Sequence, residues 1–118
     1  MSLRERLEAK KLEQSEITIR GERFTVLELD RAERSRTFAE CRDKAGKSNW
    51  AKLEGVMLSK CVREPETSAA VYGPDEWQAW DKLGSGMTGP LFGEIMRLNG
   101  LDDQDVGREV KNSDTTET

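Results

Sequence analysis

The chain has 118 residues, of which 36% are charged and 35% are hydrophobic, and its formal net charge is −4 with no histidine. This length suits one domain with a single lean core, and the absence of histidine excludes Ser-His-Asp catalysis, Cys-His catalysis and any histidine-ligated metal. Basic and acidic residues alternate and no apolar run is long enough for a membrane span, so we expect neither a nucleic-acid partner nor a membrane partner.

The first predicted element is a helix over residues 1–14. Ser2 and Glu5 have the spacing of a capping box, which is typical of a helix start. The helix should be only marginally stable on its own, because its apolar edge is thin. That edge consists of Leu3, Leu7 and Leu12.

A β-hairpin is predicted over residues 16–29, where β-branched residues alternate with polar ones. Gly21 and Glu22 suit a two-residue type II′ turn with glycine first, which would set Arg20 opposite Arg23. Counting outward from this turn places four apolar side chains on one face of the hairpin. They are Ile17, Ile19, Phe24 and Val26.

Asp30 and Glu33 repeat the capping-box spacing and predict a helix over residues 31–45, closed by Gly46. This helix offers few apolar residues, so we expect it to cover the core rather than fill it. Its candidates for burial are Ala32, Phe38, Ala39 and Cys41.

The next predicted helix spans residues 49–62, followed by a loop. Residues 56–62 are also compatible with an interior strand, since they form a short apolar run and Gly55 disfavours a helix. We predict the helix because four residues keep helical spacing. They are Trp50, Leu53, Met57 and Cys61.

A helical hairpin is predicted near the C terminus, from helices over residues 74–83 and 90–99. Pro74 and Pro90 each suit a first helical position, and Gly100 suits a helix stop. Six bulky side chains on these helices are candidates for partner binding. They are Trp77, Trp80, Leu91, Phe92, Ile95 and Leu98. Core packing is the competing interpretation for the two tryptophans.

Residues 84–89 join these two helices and match the G-x-G-x-x-G spacing of nucleotide-binding loops. A nucleotide site would need a strand before the glycines, whereas here a helix precedes them, so we interpret the segment as a flexible linker. Residues 102–118 are acidic and then polar, and predict a flexible tail.

Cys41 and Cys61 lie apart in the sequence, with no CxxC motif. We therefore expect two free thiols, no metal site and no cofactor.

Together the elements predict a mainly α (α+β) fold. It would be a small helical domain over residues 1–101 with an N-terminal β-hairpin and a C-terminal helical hairpin. Because the large apolar residues concentrate in the C-terminal third, we also expect self-association.

The order of these elements resembles tail assembly chaperones of long-tailed bacteriophages. The resemblance rests on the opening helix, the strand pair over residues 17–26, the charged helix after Asp30 and the segment 91–101. That segment ends in Leu98, Asn99, Gly100 and Leu101, ahead of Lys111 and Asn112 in the tail.

The resemblance implies a non-enzymatic protein of the host cytoplasm that binds the tape measure protein, keeps it soluble and promotes assembly of the tail tube. The tail tube protein is a further candidate partner. The alternatives are a structural head-tail or tail-completion component of the virion, and a small regulatory binding protein.

Overall fold

The computed structural model describes residues 1–101, and the predicted tail lies outside these residues. It confirms an α+β fold with a β-hairpin near the N terminus. The elements in chain order are α1 (Leu3–Glu8), β1 (Gln14–Ile19), β2 (Glu22–Leu27), α2 (Arg31–Glu40), α3 (Trp50–Cys61), β3 (Val62–Arg63), the 3₁₀ helix η1 (Pro74–Lys82) and α4 (Ser85–Leu98).

The hairpin turns one residue earlier than its sequence predicts. Its central residues are Arg20 and Gly21, with φ of 52° and 84°, so both have the positive φ of a type I′ turn. Ile17 consequently pairs with Phe24 and Thr18 with Arg23, so the predicted pairing of Arg20 with Arg23 was wrong. The register differs by two residues, and since side chains alternate with period two, the predicted apolar face is retained.

The sheet has a third, very short strand that the sequence did not predict. Val62 pairs with Val26, and Arg63 pairs with Thr25, so β3 extends the hairpin in the order β1-β2-β3. Residues 50–61 are helical, so the interpretation of 56–62 as an interior strand was wrong. Because β3 follows α3 directly, helix α3 is tied to the middle strand of the sheet.

The predicted helices over residues 1–14 and 31–45 are both shorter in the structure. The Ser2 hydroxyl accepts a hydrogen bond from the Glu5 amide, as predicted, but α1 ends at Glu8 and buries no residue. Asp30 caps α2 through the Glu33 amide, and that helix ends at Glu40.

The early end of α2 has a local cause in Asp43. Its carboxylate accepts hydrogen bonds from the amides of Ala45 and Lys47, each at 2.9 Å. This side chain holds a turn in which Gly46 has a φ of 85°, so the chain leaves the helix before the glycine that was expected to end it.

Helix α3 lies at the centre of the fold and contacts the sheet, α2, α4 and η1. Seven of the twelve residues of α3 are buried, as expected for a helix that packs on several sides. The largest buried side chains of the core include Leu53, Met57, Leu58, Leu91 and Ile95.

The C-terminal region differs from the predicted helical hairpin in three respects. The helix at 74–83 is a 3₁₀ helix with a kink at Glu76. Helix α4 begins at Ser85, so most of the predicted linker 84–89 is helical, and Pro90 lies inside it at the cost of one backbone hydrogen bond. Both η1 and α4 pack on α3 more than on each other.

The end of α4 follows the sequence prediction. Gly100 has a φ of 67°, and the Leu101 amide donates to the Met96 carbonyl at 2.8 Å, as in a Schellman motif. Asn99 adds a long-range tie, because its side-chain oxygen accepts from the Leu29 amide at 2.8 Å. The chain thus fixes the end of α4 to the segment that follows the hairpin.

Candidate partner-binding site

Four of the six predicted partner-binding side chains are buried in the core. They are Trp80, Leu91, Ile95 and Leu98. The three residues of α4 face α3 and the sheet, so a partner cannot reach them in this structure. Trp80 is buried against α3 and lines the floor of the cleft described below. Trp77 and Phe92 are half-buried and also pack against the core.

Two neighbouring side chains hold Trp80 in the core. Its indole Nε1 donates a hydrogen bond to the Ser59 hydroxyl at 2.9 Å, and both side chains are buried. Its ring meets that of Tyr72 edge to face, with centroids 4.9 Å apart. A buried indole N–H needs an acceptor, so this pair fixes η1 on α3.

Two exposed apolar side chains lie instead beside a cleft between α3, η1 and the start of α4, which we call the α3–η1 cleft. It has a volume of about 300 Å³. Among the residues that line it are Trp50, Glu54, Leu58, Asp81, Leu83 and Thr88. Trp50 is 40% exposed and Leu83 is 36% exposed, which is high for large apolar side chains.

Trp50 is held in place although it is exposed. It is the first residue of α3, and its ring meets Phe92 of α4 edge to face with centroids 6.1 Å apart. An exposed aromatic ring that is already oriented loses little freedom when a partner packs on it. Phe92 therefore supports the cleft without forming its open surface.

Two carboxylates, Glu54 on α3 and Asp81 on η1, line the same cleft. Burial raises the pKa of Glu54, and the negative charge of Asp81 raises it further. Within residues 1–101 neither carboxylate has a salt bridge or a side-chain hydrogen bond. The cleft therefore combines exposed apolar surface with uncompensated negative charge.

Sequence reasoning assigned Trp50 to the buried side of its helix and did not single out Glu54 or Asp81. Periodicity identifies one side of a helix, but it does not show that the neighbouring elements stop short of the helix's first residue. The spacing of Trp50 and Glu54, four residues apart on α3, was the available signal that they share a surface.

The two cysteines are free, as the sequence predicted, and both are buried. Burial raises the pKa of Cys61 to about 12 and also raises the pKa of Cys41. Thiols with raised pKa values are poor nucleophiles at neutral pH, so both behave as core side chains.

Among the helices of residues 1–101, none has both the length and the apolar character that crossing a bilayer requires. Comparison with known proteins gives no match to a family model, a curated protein or a solved structure.

Proposed function

We propose that this protein is a non-enzymatic assembly chaperone that binds a long helical client through the α3–η1 cleft. In line with the resemblance of its element order, the client is the tape measure protein of a long-tailed bacteriophage, held soluble in the host cytoplasm while the tail tube assembles. The observation that carries the proposal is the pair of exposed apolar residues, Trp50 and Leu83, beside two unpaired carboxylates.

The size of the cleft favours side chains of a helix as the ligand. At about 300 Å³ it lies at the lower limit of small-molecule pockets, which span ~300–1,000 Å³. It suits one or two apolar side chains of a client helix, spaced three or four residues apart, with Trp50 and Leu83 on either side.

The charge of the cleft specifies the client further. Glu54 is partly desolvated and lacks a cation, so a lysine or arginine beside the apolar residues of the client would form a charge-assisted hydrogen bond there. We therefore expect client segments that combine leucine-like residues with basic ones. An acidic helix would be repelled by Glu54 and Asp81.

The test is binding of tape-measure fragments to the full chain by calorimetry. Replacing Trp50 with alanine should weaken binding by about thirtyfold, because an aromatic hot spot contributes about 2 kcal/mol. Glu54→Gln should weaken binding to basic fragments, whereas Glu22→Gln, at an exposed strand residue away from the cleft, should not. Unchanged affinity in folded Trp50→Ala and Glu54→Gln variants would refute the cleft as the client site.

A second measurement separates a chaperone from a structural virion component. A chaperone leaves before the particle is complete, so mass spectrometry of purified virions should not detect this chain. Its presence at a fixed copy number would instead support the head-tail or tail-completion alternative.

A further inference from the structure

Helix α1 is the one helix in the described part of the chain that buries no residue. Its two leucines, Leu3 and Leu7, are 62% and 57% exposed, and Leu12 beyond the helix is 56% exposed. A helix of six residues is too short to be stable in water alone, since isolated helices need about 12–15 residues. Helix α1 therefore gains stability if its apolar side packs on another surface.

The charge of this segment is opposite to that of the rest of the chain. Residues 1–12 contain four cations and two anions, whereas the whole chain has a net charge of −4. Arg4 pairs with Glu8 at 3.0 Å, but Arg6 has no acidic partner among the described residues. Arg6 lies three residues after Leu3, so these two side chains are neighbours on the helix surface.

Helix α1 and the α3–η1 cleft are complementary, because both have exposed apolar residues and their unpaired charges are opposite. The helix has exposed leucines with an unpaired arginine, and the cleft has exposed apolar residues with the unpaired carboxylates Glu54 and Asp81. In a single copy, the apolar side chains of both surfaces remain partly exposed.

We infer that α1 of one copy docks in the α3–η1 cleft of a second copy, with its leucines between Trp50 and Leu83 and Arg6 facing Glu54 and Asp81. This inference rests on the proposed use of the cleft as a helix-binding site, but not on the identity of the client. It gives the expected self-association a specific interface, because each copy provides one helix and one cleft. A client helix would then have to displace α1. Until a client binds, α1 of a second copy would cover the exposed apolar residues of the cleft.

The experiment uses two variants of the full chain, each with one side of the interface between α1 and the cleft altered. The double variant Leu3→Ser, Leu7→Ser removes the apolar side of α1, and both leucines are exposed and lie outside the core. Asp81→Lys reverses the charge at one exposed carboxylate of the cleft, so that together with Glu54 the cleft has no net charge. Sedimentation equilibrium should show concentration-dependent association of the parent, and each variant alone should associate roughly tenfold more weakly or worse.

Mixing the two variants provides the decisive measurement. Asp81→Lys still has an intact α1, and the double leucine variant still has an intact cleft. The mixture should therefore form a heterodimer in which α1 of the first variant docks in the cleft of the second. Glu22→Lys makes a similar charge reversal on an exposed strand residue, and it should associate like the parent. Circular dichroism on each variant checks that it is folded.

Three results would overturn the inference. They are a parent that stays monomeric over about a hundredfold range of concentration, folded variants that associate as well as the parent, and a mixture of variants that stays monomeric. If α1 instead docked in the cleft of its own chain, the parent would stay monomeric, so the first of these results also tests that alternative. Since no client is present, failure of client binding with successful complementation would reject the proposed function and retain this interface.

Discussion

Gly55 of α3 lies directly against Trp77 of η1, and the contact leaves no room for a larger residue. A Cβ atom on Gly55 would lie 2.8 Å from Cε3 of Trp77 and 2.9 Å from its carbonyl oxygen. The missing side chain therefore allows η1 to approach α3 closely. This explains a glycine in the middle of a buried helix, where it costs about 1 kcal/mol relative to alanine.

The first prediction is that Gly55→Ala destabilises the protein although alanine favours the helix. The overlap involves a backbone oxygen as well as the ring, so η1 must shift. Overpacking of this kind costs about 1–3 kcal/mol, which exceeds the gain in helix propensity of about 1 kcal/mol. Urea unfolding should therefore show a net loss of up to about 2 kcal/mol.

Gly93 provides the matched control, since it is an exposed glycine in α4 where an added Cβ atom would meet nothing within 4 Å. Gly93→Ala should raise the free energy of unfolding by up to about 1 kcal/mol. Equal stabilisation by both substitutions would show that the contact with Trp77 is not restrictive.

The second prediction concerns the buried hydrogen bond between Trp80 and Ser59. Ser59→Ala removes the acceptor and leaves the indole N–H unpaired in the core, which should cost about 1–3 kcal/mol. Ser35→Ala, on the exposed surface of α2, should change the free energy of unfolding by less than about 0.5 kcal/mol. If thermal and urea unfolding do not distinguish the two variants, Trp80 finds another acceptor or the bond contributes nothing.

Local patterns in the sequence predicted much of this fold. The caps at Ser2 and Asp30 depend on side chains three residues from their amide partners, so short spacing is sufficient to find them. The apolar face of the hairpin was also predictable, because it survives a two-residue change in register. Helix α3 was found from its apolar spacing, although Gly55 argued against it.

The remaining features depend on contacts between distant parts of the chain. Strand β3 has two residues, too few for a period, and forms because α3 delivers Val62 beside Val26. The cleft brings together Trp50 of α3 with Asp81 and Leu83 at the end of η1, which lie about thirty residues away in the sequence. Sequence spacing predicts which side of a helix is apolar, but only packing decides whether that side is covered.

The third prediction concerns Lys60, which joins α3 to α2. Its Nζ donates to carboxylate oxygens of Glu33 at 2.9 Å and Glu40 at 2.8 Å, and to the Thr37 hydroxyl at 2.8 Å. Replacing Lys60 with methionine should cost about 1 kcal/mol at neutral pH, since the carboxylates are partly exposed and water screens the pairs.

This loss should depend on pH with a definite sign. The hydrogen bond from Lys60 holds the pKa of Glu33 below its ordinary value. A lowered folded-state pKa stabilises the protein above the ordinary pKa, near 4, and the stabilisation disappears as the pH falls through the lowered value. The difference between parent and Lys60→Met should therefore shrink in acid. Lys52→Met, which removes a lysine from the same helix, should show no such convergence.

The last prediction links the stability of the fold to the proposed use of the cleft. Burial, followed by the charge of Asp81, raises the pKa of Glu54, so the ionised carboxylate destabilises the folded state at neutral pH. Glu54→Gln should consequently raise the free energy of unfolding at pH 7 by no more than about 1 kcal/mol, or a few degrees in Tm.

Below the ordinary pKa of a glutamate, about 4.3, the parent carboxyl is protonated in both folded and unfolded states, so the advantage of glutamine should vanish. Glu22→Gln, at an exposed site, should show no gain at either pH. Thermal unfolding of the three proteins across this range checks the sign, and a Glu54→Gln variant less stable than the parent at pH 7 would contradict the prediction. If the gain is observed together with weaker binding of basic client fragments, the stability lost at Glu54 is directly linked to recognition of a cation in the cleft.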